Sequence, residues 1–120
     1  MIHRLLLEFI LNKILLLEDD FILAKTIKKL LEKNYFYVDW ARNGEEALEL
    51  SFSCSYDLYL FDINVPLING DDLLLDLRNA NDKTPAILLS ALIDIESMTK
   101  GFVSGADDYI KKPFNVEELI

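Results

Sequence analysis

From residue 13 onward, the chain alternates short apolar runs with amphipathic segments. The run from Ile14 to Leu17 is apolar throughout, as expected of a strand that is buried on both faces of a sheet. The next segment repeats leucine and isoleucine at helical spacing and carries lysines on its other side, which predicts an amphipathic helix. Strands and helices that alternate in this way are typical of βαβ units. The pattern therefore predicts an α/β fold with a parallel sheet.

The rest of the chain continues the same alternation. Short apolar or alternating runs bounded by turn residues predict strands over 36–40, 58–61, 86–89 and 109–110. Apolar residues at helical spacing predict helices around 23–31, 43–50, 73–77 and 95–103. Asn115 with Glu118 three residues later predicts one more helix cap, close to the end of the chain at Ile120. We therefore expect the chain to be part of a longer protein.

An apolar segment, residues 1–12, precedes the predicted fold. Its apolar residues fall near helical spacing, so we expect a short helical extension. The segment is too short to span a bilayer, Glu8 interrupts it, and no small-residue cleavage site follows. We assign residues 1–12 to an N-terminal extension without a membrane role, and residues 13–120 to a single domain that ends within its last helix.

Composition narrows the functional classes. A chain of 120 residues that is 52% hydrophobic is long enough for one domain with its own core. Twelve basic and twenty-one acidic residues give a net charge of −9, which disfavours direct binding to nucleic acid. The single cysteine, Cys54, excludes an internal disulfide and fits a reducing compartment. We therefore expect a cytoplasmic domain.

Polar side chains capable of chemistry stand at the carboxyl ends of four predicted strands. They are Glu18 and Asp19 after the first strand, Asp62 after the third, Ser90 after the fourth and Lys112 after the fifth. Because the carboxyl ends of parallel strands meet at one edge of the sheet, we expect these side chains to converge there. Converging carboxylates repel each other unless a cation is present. This edge is thus predicted to combine a lysine with a metal ion, for which oxygen ligands favour Mg²⁺.

Four segments resemble, in order and spacing, the signature motifs of response-regulator receiver domains of the CheY-like superfamily. They read KILLLEDD, YDLYLFDINVPLING, AILLSA and GADDYIKKPF, and the resemblance extends from about residue 12 to residue 120. It implies a flavodoxin-like, doubly wound, five-stranded parallel sheet in the order 2-1-3-4-5, with helices on both faces. The last segment is most similar to the OmpR/PhoB winged-helix class.

The resemblance implies a phosphorylation site with a bound Mg²⁺. Asp62 matches the phosphoacceptor, a carboxylate nucleophile that forms an acyl phosphate. Asp19 matches a direct metal ligand, and Glu18 matches one that acts directly or through a water molecule. Asn64 stands where the family supplies a backbone carbonyl to the metal. The implied metal ligands are thus Glu18, Asp19, Asp62 and the carbonyl of Asn64.

The resemblance also implies how phosphorylation is stabilised and transmitted. Lys112 matches the lysine that pairs with phosphoryl oxygens, and Ser90 matches the hydroxyl that hydrogen-bonds one of them. Tyr109 matches the aromatic switch that turns inward when Ser90 moves. Pro113 matches a proline whose peptide bond with Lys112 is cis. Lys112, not Lys111, directly precedes Pro113, so we expect the Lys111 side chain to be solvated.

The implied function is that of a two-component response regulator. A sensor histidine kinase would phosphorylate the domain, which catalyses only its own phosphorylation and dephosphorylation and controls a DNA-binding effector outside this chain. One alternative is the receiver of a hybrid kinase or of another output. Another is a Mg²⁺-dependent phosphohydrolase, but such enzymes usually carry a second acid two residues after the nucleophile, where Asn64 stands.

Similarity to the OmpR/PhoB class implies a homodimer through the last two helices and the last strand. In that class, residues matching Asp107 and Asp108 form salt bridges with arginines of the final helix. A basic residue usually pairs across the dimer with the acid matching Glu118, but Met98 occupies its position. Lys100 lies on another side of the predicted helix. The usual dimer is therefore not expected to form unchanged, and two alternatives are that the apolar extension, residues 1–12, buries against this face or builds another interface.

Overall fold

The computed structural model of the protein describes Ile2 and residues 12–91, 99–100 and 102–120. Within these residues, strands alternate with helices along the chain. The elements are β1 (Lys13–Leu17), α1 (Phe21–Lys33), β2 (Tyr37–Ala41), α2 (Gly44–Ser53), β3 (Leu58–Asp62), α3 (Gly70–Asn79), β4 (Ala86–Ser90), β5 (Asp108–Lys111) and a closing 3-10 helix (Val116–Leu119).

The five strands form one parallel sheet in the order β2-β1-β3-β4-β5. The strand order reverses beside β1, which has β2 on one side and β3 on the other. In such sheets, a crevice opens at the carboxyl ends of the strands where the order reverses. The topology confirms the predicted fold and brings the ends of β1 and β3, with Glu18 and Asp62, to this crevice.

Helices cover both faces of the sheet, as the near-continuous apolar strands require. One core cluster joins alternate strand residues to the apolar side of α1, through Ala24, Ile27 and Leu31. The second joins the opposite strand residues to α2 and α3, chiefly through Ala47, Leu73 and Leu77. Because both faces are buried, the strand ends are the part of the sheet left open for polar side chains.

Side-chain caps mark the starts of α1 and α2, at Asp20 and Asn43. The Asp20 side chain accepts a hydrogen bond from the Leu23 backbone N–H, and Asn43 accepts one from the Glu46 N–H. Each bond satisfies an N–H group that the first turn of a helix leaves without a partner. Both helices therefore start close to the end of the preceding strand.

The end of the chain differs from the expectation. Val116–Leu119 form a 3-10 helix, and the Asn115 side chain accepts from Glu117 N–H, not from Glu118. A four-residue segment offers few i to i+4 bonds, so i to i+3 bonds such as Ile120 N–H to Glu117 C=O replace them. The short fifth strand is longer than predicted by one residue at each end.

Two expectations lie partly outside the described residues. Of the predicted helix at 95–103, residues 99–100 and 102–103 are described and are helical, whereas Met98 is not described. Of the N-terminal extension, Ile2 and residue 12 are described, and the Ile2 side chain is fully buried in the cluster beneath α1. No helix among the described residues is long and apolar enough to cross a membrane.

Candidate functional site

The acidic turn after β1 brings two carboxylates with different surroundings to the crevice. Glu18 is fully buried, whereas Asp19 is exposed. The backbone of Glu18 is held on both sides: its N–H donates to the Ala41 carbonyl at 3.1 Å, and its carbonyl accepts from the Trp40 indole N–H at 2.7 Å. The turn is thus fixed to the end of β2, which aims Glu18 into the interior.

Asp62 ends β3 and is also buried. The Asn64 N–H lies 3.4 Å from Asp62 Oδ1, so the next loop folds back over the carboxylate. The first residue of α3 is bonded to the backbone directly after Asp62, since Gly70 N–H donates to the Ile63 carbonyl at 2.9 Å. A β-carbon on Gly70 would lie 2.1 Å from the Asp62 carbonyl oxygen. The close contact requires glycine at this position.

Lys112 joins the two buried carboxylates. Its Nζ lies 2.6 Å from Glu18 Oε1 and 3.0 Å from Asp62 Oδ2. Burial acts to lower the pKa of Lys112, but hydrogen bonds and charge interactions with Glu18 and Asp62 outweigh it and raise that pKa above its ordinary value. Lys112 is therefore a permanently charged ammonium between the ends of β1 and β3. The neighbouring Lys111 is exposed.

The charges of this site are not balanced by the protein alone. Burial, together with the nearby Asp62 carboxylate, raises the pKa of Glu18 to about 7, although Lys112 acts to lower it. Glu18 Oε1 is buried, and its close contact with Lys112 lacks the angular geometry of a hydrogen bond. When Glu18 and Asp62 are both ionised, the crevice holds more negative charge than Lys112 compensates.

A metal ion fits this imbalance. Oxygen atoms of Glu18, Asp19 and Asp62 all lie within 4.8 Å of one another. Carboxylate oxygens are the ligands that hard divalent cations prefer. A divalent cation would also stabilise the ionised form of Glu18 against burial and against repulsion from Asp62, the two effects that raise its pKa. The residues present therefore fit a hard metal ion.

Ser90 and Tyr109 lie on the other side of Asp62, at the ends of β4 and β5. Ser90 is buried, and its carbonyl accepts from the Lys112 N–H at 2.7 Å. Tyr109 is half-buried. Both line a cavity of about 160 Å³, together with Ile63, Asn64, Asn69, Asp71 and Lys100. The peptide bond between Lys112 and Pro113 is cis.

Sequence reasoning missed three contributions to this region. Trp40 was not predicted to belong to the site, but its indole N–H donates to the Glu18 carbonyl. The pair of Asp71 and Lys100 was not predicted, although a carboxylate on the apolar side of α3, three residues before Leu74, was a signal that it is buried and paired. The position of Asp107 is one that pairs with arginines of the final helix in the OmpR/PhoB class, and in this chain Asp107 lies 3.6 Å from Arg78, a pair that was not predicted.

Comparison with known proteins agrees with this geometry. Residues 14–120 match the family described as the response regulator receiver domain. The chain belongs to this family. It is 42% identical over 108 residues to the cell cycle transcriptional regulator CtrA of Caulobacter vibrioides, an alignment that covers 90% of this chain and 47% of that protein. The chain thus spans about half the length of the curated relatives it matches.

Solved receiver domains share the fold. The receiver domain of the Francisella response regulator 1452 superposes with a TM-score of 0.87 at 41% identity, covering 91% of this chain and 90% of that one. The signal receiver domain of a signal transduction histidine kinase from Syntrophus aciditrophicus gives 0.82 at 32% identity, covering 90% and 83%. Receiver domains of this kind therefore occur both in response regulators and in histidine kinases.

Proposed function

We propose that Asp62 of this receiver domain accepts a phosphoryl group from a phosphohistidine of a sensor histidine kinase, or from a small acyl phosphate. The observation that carries the proposal is the position of Lys112, whose ammonium lies 3.0 Å from Asp62 within a cluster of three carboxylates. A buried carboxylate beside a fixed cation and a metal site is suited to phosphoryl transfer, in which positioning and charge neutralisation provide most of the catalysis.

Mg²⁺ would be held by Glu18, Asp19, Asp62 and the backbone carbonyl of Asn64. When bound, it would neutralise charge on the phosphoryl oxygens. Glu18 and Asp19 would contribute oxygen ligands from the turn after β1, and Asp62 would contribute one from β3, a set supported by the proximity of the three carboxylates. The exposed side of Asp19 leaves room for water molecules, which Mg²⁺ usually retains.

The transfer itself uses the side chains around Asp62. One Asp62 carboxylate oxygen attacks the phosphorus, a P–O bond forms, and the P–N bond to the donor histidine breaks, with its electron pair remaining on the imidazole nitrogen. The imidazole then takes up a proton from solvent. Lys112 offsets the charge of the phosphoryl oxygens, and the Ser90 hydroxyl donates to one of them. The domain modifies itself and turns over no external substrate.

Phosphorylation would act on the ends of β4 and β5. Added negative charge at Asp62 favours the arrangement in which Ser90 reaches the phosphoryl group and Tyr109 turns inward. The cavity that both residues line supplies the space for that movement. In the longer protein, this change would control a DNA-binding effector, a proposal supported by similarity to a relative named as a transcriptional regulator.

The proposal is tested by incubation with acetyl phosphate and Mg²⁺, followed by intact-mass measurement. We expect the wild-type chain to gain one phosphoryl group and Asp62→Asn to gain none. Asp76→Asn, at an exposed position of α3, is the matched control and should be labelled like the wild type. Full labelling of Asp62→Asn would show that another residue accepts the phosphoryl group.

We also propose that this domain works in the cytoplasm and forms a homodimer through the last two helices and the last strand. Exposed Phe102 and Val103 lie on the described part of the first of these helices and supply apolar surface for the contact. We expect Val103→Asp to reduce the dimer population in analytical ultracentrifugation with Mg²⁺ and BeF₃⁻. An unchanged population would place the dimer contact elsewhere.

A further inference from the structure

Asp71 is a buried carboxylate outside the phosphorylation site. It lies in the first turn of α3, and its side chain is 4% exposed. Its Oδ2 atom lies 3.0 Å from Lys100 Nζ, and Lys100 also approaches Asp72 Oδ1 at 3.6 Å. A buried carboxylate is costly unless a cation and hydrogen bonds compensate it. Lys100 provides that compensation, so the two residues are held together.

The ion pair connects the two segments that flank Asp62. Asp71 follows Gly70, whose backbone is in direct contact with Asp62 and Ile63. Lys100 belongs to the β4–β5 connection, of which the structure describes Ala91 and residues 99–100 and 102–107, and the name refers to these residues. Asp71 and Lys100 also line the same cavity as Ser90 and Tyr109. The pair therefore spans the region that must rearrange if phosphorylation moves the ends of β4 and β5.

We propose that the Asp71–Lys100 ion pair is a latch that holds the β4–β5 connection in its unphosphorylated arrangement. This inference rests on the proposed phosphorylation of Asp62. The phosphoryl group adds negative charge next to the start of α3, which draws the Lys100 ammonium away from Asp71 and weakens the pair. Coupling between two sites is reciprocal, so a pair that phosphorylation weakens must itself oppose phosphorylation.

The test replaces the pair with apolar residues, so that no unpaired charge stays buried. In Asp71→Leu/Lys100→Met, we expect BeF₃⁻ in the presence of Mg²⁺ to bind at least threefold more tightly than to the wild type, while the affinity for Mg²⁺ alone stays unchanged. Lys28→Met/Glu32→Leu removes an exposed pair of the same length on α1 and should leave both affinities unchanged. Asp71→Asn is a second variant that keeps the side-chain shape if the double variant does not fold.

Amide hydrogen exchange separates this inference from the proposed function. Ser104 N–H donates to the Lys100 carbonyl at 2.9 Å, so its exchange reports on the connection without any phosphoryl chemistry. We expect the exchange at Ser104 to be faster when the pair is removed. If the exchange rate at Ser104 does not change in the double variant, the latch proposal is wrong. It is also wrong if the exchange becomes faster but BeF₃⁻ binds no more tightly than to the wild type. Failure of the wild type to bind BeF₃⁻ would instead contradict the proposed function, and exchange at Ser104 would still decide whether the pair holds the connection.

Discussion

Glu18 shows how a single residue can favour ligand binding at the expense of stability. Its carboxylate is fully buried beside Asp62, and its pKa is raised to about 7. In the unfolded chain the same group ionises near 4.5. The folded state therefore holds the Glu18 proton more tightly, and ionisation of Glu18 destabilises the fold as the pH rises from about 4.5 to about 7. A cation bound at this site would relieve the unfavourable charge of Glu18.

Replacing Glu18 with Gln removes that charge and keeps the shape of the side chain. In EDTA at pH 8, we expect Glu18→Gln to raise the free energy of unfolding by on the order of 2 kcal/mol, and by much less at pH 4.5. Urea denaturation at the two pH values measures the difference. As a control, saturating Mg²⁺ should stabilise the wild type more than the variant. A variant that is less stable than the wild type at pH 8 would contradict the expected gain in stability.

At the scale of elements, α3 is the helix that the site depends on most closely. Its first residue, Gly70, contacts the backbone of Asp62, and its next residue, Asp71, pairs with Lys100. A β-carbon at Gly70 would clash with the Asp62 backbone, which cannot move easily. A β-carbon at Gly105 would instead contact the Arg78 side chain, which is flexible. Changes at the start of α3 should therefore reach the site, and changes at Gly105 should not.

Two alanine substitutions test this dependence. We expect Gly70→Ala to cost about 1–3 kcal/mol of stability and to slow acetyl phosphate labelling of Asp62 at least tenfold, because the added β-carbon displaces the Asp62 backbone. Gly105→Ala, at a φ of 102°, should lower stability by a similar amount but leave the labelling rate of the folded protein within twofold of the wild type. Thermal denaturation and time-resolved intact-mass measurement give the two quantities. Equal labelling rates for the two variants would show that α3 does not position Asp62.

The elements also show what could be predicted from the sequence. Strands such as Leu58–Asp62 were predictable because a strand buried on both faces has a continuous apolar run, and helix starts such as Asn43 were predictable because capping is local. The convergence of Glu18, Asp62 and Lys112 followed from parallel topology. The position of Asp71 on the apolar side of α3 indicates that its carboxylate is buried and needs a partner, but the identity of that partner was not predictable, because Lys100 is far from Asp71 in sequence.

At the scale of the whole molecule, the two ends of the chain meet in one core. The cluster beneath α1 contains Ile2 from the N-terminal extension and Leu119 from the closing 3-10 helix, both fully buried. The family match begins only at residue 14, so Ile2 lies outside the part of the chain that resembles other receivers. A single α1 helix is too narrow to cover one face of a five-stranded sheet, because a helix is about 10 Å across and neighbouring strands are about 4.8 Å apart.

Ile2 should therefore contribute to stability as a core residue. We expect Ile2→Ala to lower the free energy of unfolding by about 2–4 kcal/mol, the usual cost of truncating a buried isoleucine. Ile22→Ala is the matched control, since Ile22 is 77% exposed on α1 and its truncation should change stability by less than about 0.5 kcal/mol. Urea denaturation of both variants measures the comparison. Because Ile2 lies on the face of the sheet opposite to α3, the labelling rate of folded Ile2→Ala should equal that of the wild type. If Ile2→Ala lowers stability as little as Ile22→Ala does, burial of the Ile2 side chain does not stabilise the domain.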